Sequence, residues 1–349
     1  MLGIVHSFLR IVLYPIQNYT NVISKYTRLI FSIDFHQPLS NYLDKLTIFK
    51  KITFSRFTLQ LTFDYCFDQP LNNLLDKLEK LEQLTFGDKF NQPLGNSLDK
   101  LEKLEQLTFG WDFNQPLNNS LNKLEKLEQL TLGFCFNQPL NNSLSNLINL
   151  QQLTFGYVFN QPLANSLDNL INLQQLILGT NFNQPLNNSL NKLEKLEQLT
   201  FGHCFNQPLN NSLCNLINLQ QLTLGRGFNQ NMDLPFNIVN LTLHCNNQYI
   251  IDNLHNNIET LKLGHFFDLE LNNLPTSIKY IEFNKNSVHN SKLNNLPNSI
   301  EYIQLNINYN QKIEKIPKNL KTIKCSKYYK FINDFNNYED KPLKIELYI

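Results

Sequence analysis

The residues best suited to chemistry in this chain are two imidazole–thiol neighbours, His203-Cys204 and His244-Cys245, which together could supply soft ligands to a metal ion. Adjacent residues on a strand or turn point apart, however, and no second pair stands at ligand spacing, so they read as ordinary surface or packing residues with no metal and no cofactor. Glu125 and Lys126 carry acid–base groups, but the same pair recurs along the chain. Catalysis needs unlike polar groups converging in one pocket. Here nearly every polar residue is repeated at fixed spacing, which makes rows of solvated charge, and the chain is not expected to be an enzyme. Two asparagine columns complete the search: Asn91, Asn114, Asn137, Asn160, Asn183 and Asn206, and then Asn96, Asn119, Asn142, Asn165, Asn188 and Asn211. An amide carries both donor and acceptor, so these are expected to satisfy backbone groups of a neighbouring coil rather than to hold a ligand.

The element that arranges these rows is a repeat. The string FNQPL starts at Phe90, Phe113, Phe136, Phe159, Phe182 and Phe205, each 23 residues after the last. Variants stand at Phe35, Phe67 and Phe228, and Pro15, Ile16 and Asn18 follow the same pattern. In one unit Leu130 and Leu132 flank Thr131 with the alternation of a short strand, and Gly133 is expected to end it by opening a turn. Leu117, Leu121 and Leu124 have helical spacing, with Ser120 placed to cap a short helical or 3₁₀ turn. Gln115 before Pro116 bends the chain away from the sheet. Seven apolar side chains per unit exceed what one strand and one turn can cover, so neighbouring units must bury them and an isolated unit should not fold. The phenylalanine column is expected to form an interior spine.

After Phe228 the period shortens to 20 or 22 residues, with Pro235, His255, Pro275, Pro297 and Pro317 marking the turns. Alternating strands follow at Leu241–Leu243, Leu261–Leu263, Ile281–Phe283, Ile303–Leu305 and Ile323–Cys325, with a last one at Ile345–Leu347. An extra segment, Ile52 to Gln60, should form an irregular turn. The organisation is therefore a repeat-like N-terminal segment 1–34, regular repeats over 35–230, and shorter degenerate repeats over 231–349.

Composition narrows the partners. Of the 349 residues 42% are hydrophobic and 17% charged, enough apolar material for a folded chain. Lys plus Arg number 30 against 29 Asp plus Glu, a formal charge of +1, which argues against nucleic acid and membrane surfaces as partners. The apolar opening, Met1 to Pro15, is broken by Arg10 and reads as folded protein rather than as a signal peptide. Cys66, Cys135 and Cys204 share one slot three repeats apart, roughly 14 Å from each other at strand spacing, too far to bridge. Cys214, Cys245 and Cys325 show no ligand spacing, and reduced thiols fit a cytosolic compartment. Asn118, Asn141, Asn187 and Asn210 would each accept a glycan in a secreted chain, crowding adjacent turns.

The leucines at LxxLxxLxL resemble the leucine-rich repeat, and FNQPL preceded by LxxLxLG resembles the FNIP repeat, a short relative of it found in social amoebae and in large viruses that infect amoebae. The FNQPL copies and variants cover residues 35 to 230, and the LPxSIxxIxF units to 325 look like a leaner form. The resemblance implies an α/β repeat solenoid: a leucine-rich-repeat-like horseshoe with a continuous parallel β-sheet and short helical or 3₁₀ turns on the convex side. It also implies, in members carrying an F-box, substrate recognition for a ubiquitin ligase. Residues 1 to 34 align with the repeat and hold no such module, which leaves a ligase partner supplying it, or a shortened copy without specific function, as alternatives.

One pair of positions varies while everything around it repeats. Between Gly and Phe stand Tyr65-Cys66, Asp88-Lys89, Trp111-Asp112, Phe134-Cys135, Tyr157-Val158, Thr180-Asn181, His203-Cys204 and Arg226-Gly227. Packing does not dictate them, and aromatics and Arg are enriched at binding hot spots. The candidate partner-binding residues are therefore Tyr65, Asp88, Lys89, Trp111, Asp112, Phe134, Tyr157, Thr180, His203 and Arg226, along the rim of the concave sheet, with the threonine row Thr85, Thr108, Thr131, Thr154 and Thr200 as its floor. The expected function is non-catalytic: a scaffold for a protein partner whose identity, like the oligomeric state, the sequence leaves open.

Overall fold

Each turn of the chain contributes one short strand whose central leucine points inward while its neighbours face out, and successive strands pair in parallel. The computed structural model describes residues 28–30, 59–63, 65–209, 211–335 and 343–348. The fold is a parallel β-solenoid with almost no helix, and the chain divides into two units, residues 1–175 and 176–349.

The first unit contains β1 (Arg28–Ile30), β2 (Leu59–Thr62), β3 (Leu81–Thr85), β4 (Gln106–Thr108), β5 (Gln129–Thr131) and β6 (Gln152–Thr154). Their register joins like residues: Gln106 meets Gln129, Leu107 meets Leu130 and Thr108 meets Thr131. Between β2 and β3 the register shifts at Leu59/Gln60, the end of the extra segment expected at 52–60; the rest of that segment, and most of the N-terminal repeat-like segment 1–34, lie outside the described residues.

A strand β7 (Gln175–Ile177) stands at the division, and the second unit continues with β8 (Gln198–Thr200), β9 (Gln221–Leu224), β10 (Asn240–Leu243), β11 (Thr260–Leu263), β12 (Tyr280–Phe283), β13 (Tyr302–Gln304), β14 (Thr322–Ser326) and β15 (Lys344–Tyr348). All the expected C-terminal strands are present, including the last, which pairs with β14 over Ile323↔Ile345. The longest helix among the described residues, α1 (Gln248–Asp252), is one turn capped by Asn247, whose side chain accepts from the Ile250 N–H at 3.2 Å.

The interior is largely apolar and repetitive. Phe113, Leu117, Leu121, Leu124, Leu127, Leu130 and Leu132 are all buried, so all seven apolar positions of that unit are spent on packing. Phenylalanines form the expected spine: Phe90, Phe113 and Phe136 stack at centroid spacings of 6.0 and 6.1 Å, and Phe182, Phe205 and Phe228 repeat this in the second unit at 6.0 and 6.1 Å. The column continues past the change of period as Phe267, His289, Tyr309 and Tyr329, with the two tyrosine hydroxyls donating to the carbonyls of Ser291 and Gln311.

Two local expectations change on contact with the structure, and a third gains a second reason. The stretch from Leu117 to Leu127 is a chain of separate turns, with N–H donation from Ser120 to Leu117, Leu124 to Leu121 and Leu127 to Leu124, rather than a short helix. Spacing of three keeps each leucine inward, and each bond spans three residues in the 3₁₀ manner without propagating. Ser120 is itself buried between turns, where a capping serine would stand at an exposed helix start. The glycine after each strand opens the turn as expected, the Gly133 carbonyl accepting from the Phe136 N–H at 3.1 Å, and it meets a second need as well: a Cβ on Gly133 would fall on the carbonyl oxygen of Gly110, and one on Gly156 on that of Gly133. It permits close approach of two backbones rather than an unusual dihedral angle. The left-handed positions lie elsewhere, at Asn72, Gly95, Asn118, Asn141, Ala164 and Asn187, one per turn, with φ between 43° and 51°. Asparagine and glycine tolerate that region best.

Candidate functional site

The variable pair sits in the two-residue turn that follows each strand, and one hydrogen bond fixes its place on successive coils. The Lys89 N–H donates to the Tyr65 carbonyl, Asp112 to Asp88, Cys135 to Trp111 and Val158 to Phe134, at 2.7 to 3.0 Å. The first residue of each pair therefore stands directly over its counterpart, and side chains at that position form a column along the rim of the sheet.

In the first unit this column brings Trp111, Phe134 and Tyr157 together. Trp111 and Phe134 stack with centroids 3.8 Å apart and 8° between planes, and Phe134 and Tyr157 follow at 4.6 Å and 10°. Trp111 remains 51% exposed and Tyr157 45%, with Phe134 half-buried between them. A polar cluster adjoins the stack: Lys89 Nζ donates to Asp112 Oδ2 at 2.9 Å and lies 5.7 Å from the Tyr65 ring, while Asp88 Oδ1 accepts from the Trp111 N–H at 3.4 Å. The hydrogen bond to Asp112 raises the Lys89 pKa and keeps the ammonium charged. Cys135 is raised by partial burial and by Asp112, which disfavours a thiolate there.

Thr180, His203 and Arg226 occupy the same column in the second unit. Thr180 is half-buried, its carbonyl accepting from Cys204 at 2.9 Å, while His203 and Arg226 are exposed. The Arg226 guanidinium lies 3.7 Å over the Phe266 ring. His203 and His244 approach to 6.1 Å between rings, and burial lowers the His244 pKa; their neighbour Cys245 is buried, its thiol pushed up to about 11. No group of three His, Cys, Asp or Glu able to hold a metal occurs among the described residues. All six cysteines are free.

The asparagine row is structural, as its chemistry suggested. The Oδ1 of Asn91, Asn114 and Asn137 accepts from the N–H of Asn114, Asn137 and Asn160 at 2.9 Å, and the glutamine of the next turn reaches the same oxygen. For the second column the backbone is what pairs: the carbonyls of Asn119 and Asn142 accept from the N–H groups of Asn122 and Ser145. The threonines of the strands are half-buried on the outward face of the sheet, beside the rim.

Sequence reasoning stopped the rim at Arg226, but the structure carries it further. The His265 carbonyl accepts from the Val288 N–H and that of Lys285 from the Ile307 N–H, so the turn carbonyls of these coils are also tied to the next coil, though through different places in it. Gly264-His265-Phe266-Phe267 repeats the Gly-x-x-Phe pattern and would have extended the column from sequence alone.

The FNIP repeat model matches residues 289–330, within the shorter repeats. That stretch carries the FNIP repeat. Solved structures place the fold of the chain among leucine-rich repeats. A circular leucine-rich-repeat protein, CroV588, is 28% identical with a TM-score of 0.69, covering 90% of this chain and 45% of its own. This chain thus spans less than half the length of that relative. An internalin (inlF) from Listeria monocytogenes aligns at 16% identity and a TM-score of 0.53, covering 80% of this chain and 86% of that one. Toll of Drosophila, in its complex with Spatzle, aligns at 15% and 0.50, over 86% and 46%. None of the curated proteins matches the sequence. No helix among the described residues is long and apolar enough to cross a membrane.

Proposed function

We propose that this FNIP-repeat chain is a non-catalytic scaffold that binds a protein partner through the rim and outward face of its sheet. The observation that carries the reading is the stack of Trp111, Phe134 and Tyr157, three large aromatics on successive coils with two of them about half exposed. Stacking pre-orders the three rings, so a partner meets a rigid apolar ledge without paying to immobilise it. Aromatic anchors of this kind contribute disproportionately at interfaces, and the adjoining Lys89–Asp112 pair supplies the polar margin such ledges have. The repeat architecture, in which residues at fixed places recur on every coil, favours extended recognition surfaces over pockets.

Trp111 is the chain's sole tryptophan, so its fluorescence reports on this ledge alone. Affinity capture from lysate with the wild-type chain and with the Trp111→Ser, Phe134→Ser, Tyr157→Ser triple variant is expected to yield proteins retained only by the former. Adding a purified candidate should shift the wild-type tryptophan emission. An identical captured set from a folded triple variant, checked by circular dichroism, would remove the reading.

A further inference from the structure

In the second unit the rim changes character. His203, Arg226, His265, Lys285 and Lys327 all take the first place of their turn and all are exposed. At the paired positions 180–181, 203–204, 226–227, 265–266, 285–286, 307–308 and 327–328 there is no Asp or Glu, whereas Asp88 and Asp112 stand at those places in the first unit. We propose that this rim binds an acidic peptide segment in extended conformation, its carboxylates received by Arg226, Lys285 and Lys327.

Two independent observations support this. Four other lysines of the unit are neutralised within the chain: Lys262 by Glu282, Lys279 by Glu259, Lys312 by Asp334 and Lys321 by Glu301. Among the described residues, no carboxylate pairs with Arg226, Lys285 or Lys327. Each rests instead on an aromatic ring: Arg226 at 3.7 Å from Phe266, Lys285 at 5.2 Å from Tyr348 and Lys327 at 5.0 Å from Tyr328. A guanidinium carried over a ring face still offers its N–H fork to a carboxylate.

The spacing suits a peptide. Arg226 and His265 are two coils apart, as are Lys285 and Lys327, which is about 10 Å at strand spacing. A segment extended as polyproline II, with three residues per turn at ~3.1 Å each, sets the side chains of residues i and i+3 on one face at about that distance. A polyanionic nucleic acid fits less well, because phosphate backbones call for a strongly basic surface and the chain's formal charge is only +1. Phe266 and Tyr328 are exposed next to the cations and would take apolar residues interspersed among the acidic ones.

The inference rests on the scaffold reading but on residues separate from the aromatic ledge. The test is fluorescence anisotropy with the full chain and a labelled 12-residue peptide bearing Asp or Glu at every third position. Its Asn/Gln counterpart and a labelled single-stranded oligonucleotide serve as the other two probes. Saturable binding of the acidic peptide is expected, weakened about tenfold or more by Arg226→Gln and further by adding Lys285→Gln and Lys327→Gln. Lys318→Gln, away from the rim, and the Trp111/Phe134/Tyr157 triple variant should leave it unchanged, which separates failure here from failure of the ledge. Absence of saturable binding, equal binding of the amide peptide, tighter binding of the oligonucleotide, or affinity indifferent to the three cations would each overturn the proposal.

Discussion

His289 stands one coil beyond Phe267 in the aromatic column, their ring centroids 6.0 Å apart, and lies nearly parallel to Phe283 at 4.4 Å. Its side chain is fully buried, neither ring nitrogen has a hydrogen-bond partner, and the nearest carboxylate, Asp268, is 3.9 Å from Nδ1. Tyr309 covers the other side at 6.3 Å. Burial lowers the pKa from 6.5 to about 4, only partly opposed by Asp268.

A depressed histidine pKa means that the unfolded chain takes up the proton first. Stability contributed by neutral His289 is therefore complete above pH 6.5 and lost as pH falls toward about 4, a loss on the order of 3 kcal/mol. Urea unfolding between pH 7 and 4 should show this slope, and His289→Phe, which restores the residue type of the column, should flatten it. An unchanged slope in that variant would place the sensitivity elsewhere.

Ala164 occupies a left-handed position, φ 43°, that asparagine or glycine takes in the other turns. A Cβ without a local hydrogen-bonding group costs about 1–2 kcal/mol in that region. Ala164→Asn or Ala164→Gly should stabilise the chain by about 1 kcal/mol in chemical denaturation; a loss of stability would contradict the assigned backbone strain.

Gly133 is wedged against the Gly110 carbonyl. Gly133→Ala forces two backbones apart and should cost about 1–3 kcal/mol, lowering the thermal midpoint, although φ at this residue is one that alanine adopts freely. Tolerance of the alanine would show that the coils can separate without penalty.

Asn137 accepts from the Asn160 N–H at 2.9 Å and from Gln161 at 3.2 Å. Asn137→Ala leaves a half-buried backbone donor without this acceptor and should cost about 1–3 kcal/mol. Hydrogen exchange at the Asn160 amide, measured by NMR, should accelerate in the variant, and unchanged protection there would argue against the ladder.

The period, the inward leucines and the phenylalanine spine were legible because side-chain burial leaves its mark in residue type: Leu124 and Phe136 could be read as core from spacing alone. The rim was legible for the opposite reason, since Trp111 and Tyr157 stand where nothing repeats. What escaped reading was backbone against backbone. Gly133 shows only its turn role, because the carbonyl one coil away that it also meets has no sequence signature, and Asn118 looks like a glycan acceptor because a positive φ is written only as a preference for Asn or Gly. His289 was hidden by two additional residues, Ser287 and Val288, which carry the aromatic slot past its expected count.

Gln129 meets Gln106 on one side and Gln152 on the other, and the leucines and threonines beside it match in the same way. Removing or duplicating one whole period in the gene would bring together surfaces of identical outline, so the buried part would reseal unaided. The ledge and the charged strip would not survive such an edit unaltered, because each depends on which coil follows which. Copy number is thus a variable that leaves the packing intact while changing the order of side chains along the rim, by whole-coil steps instead of point substitutions.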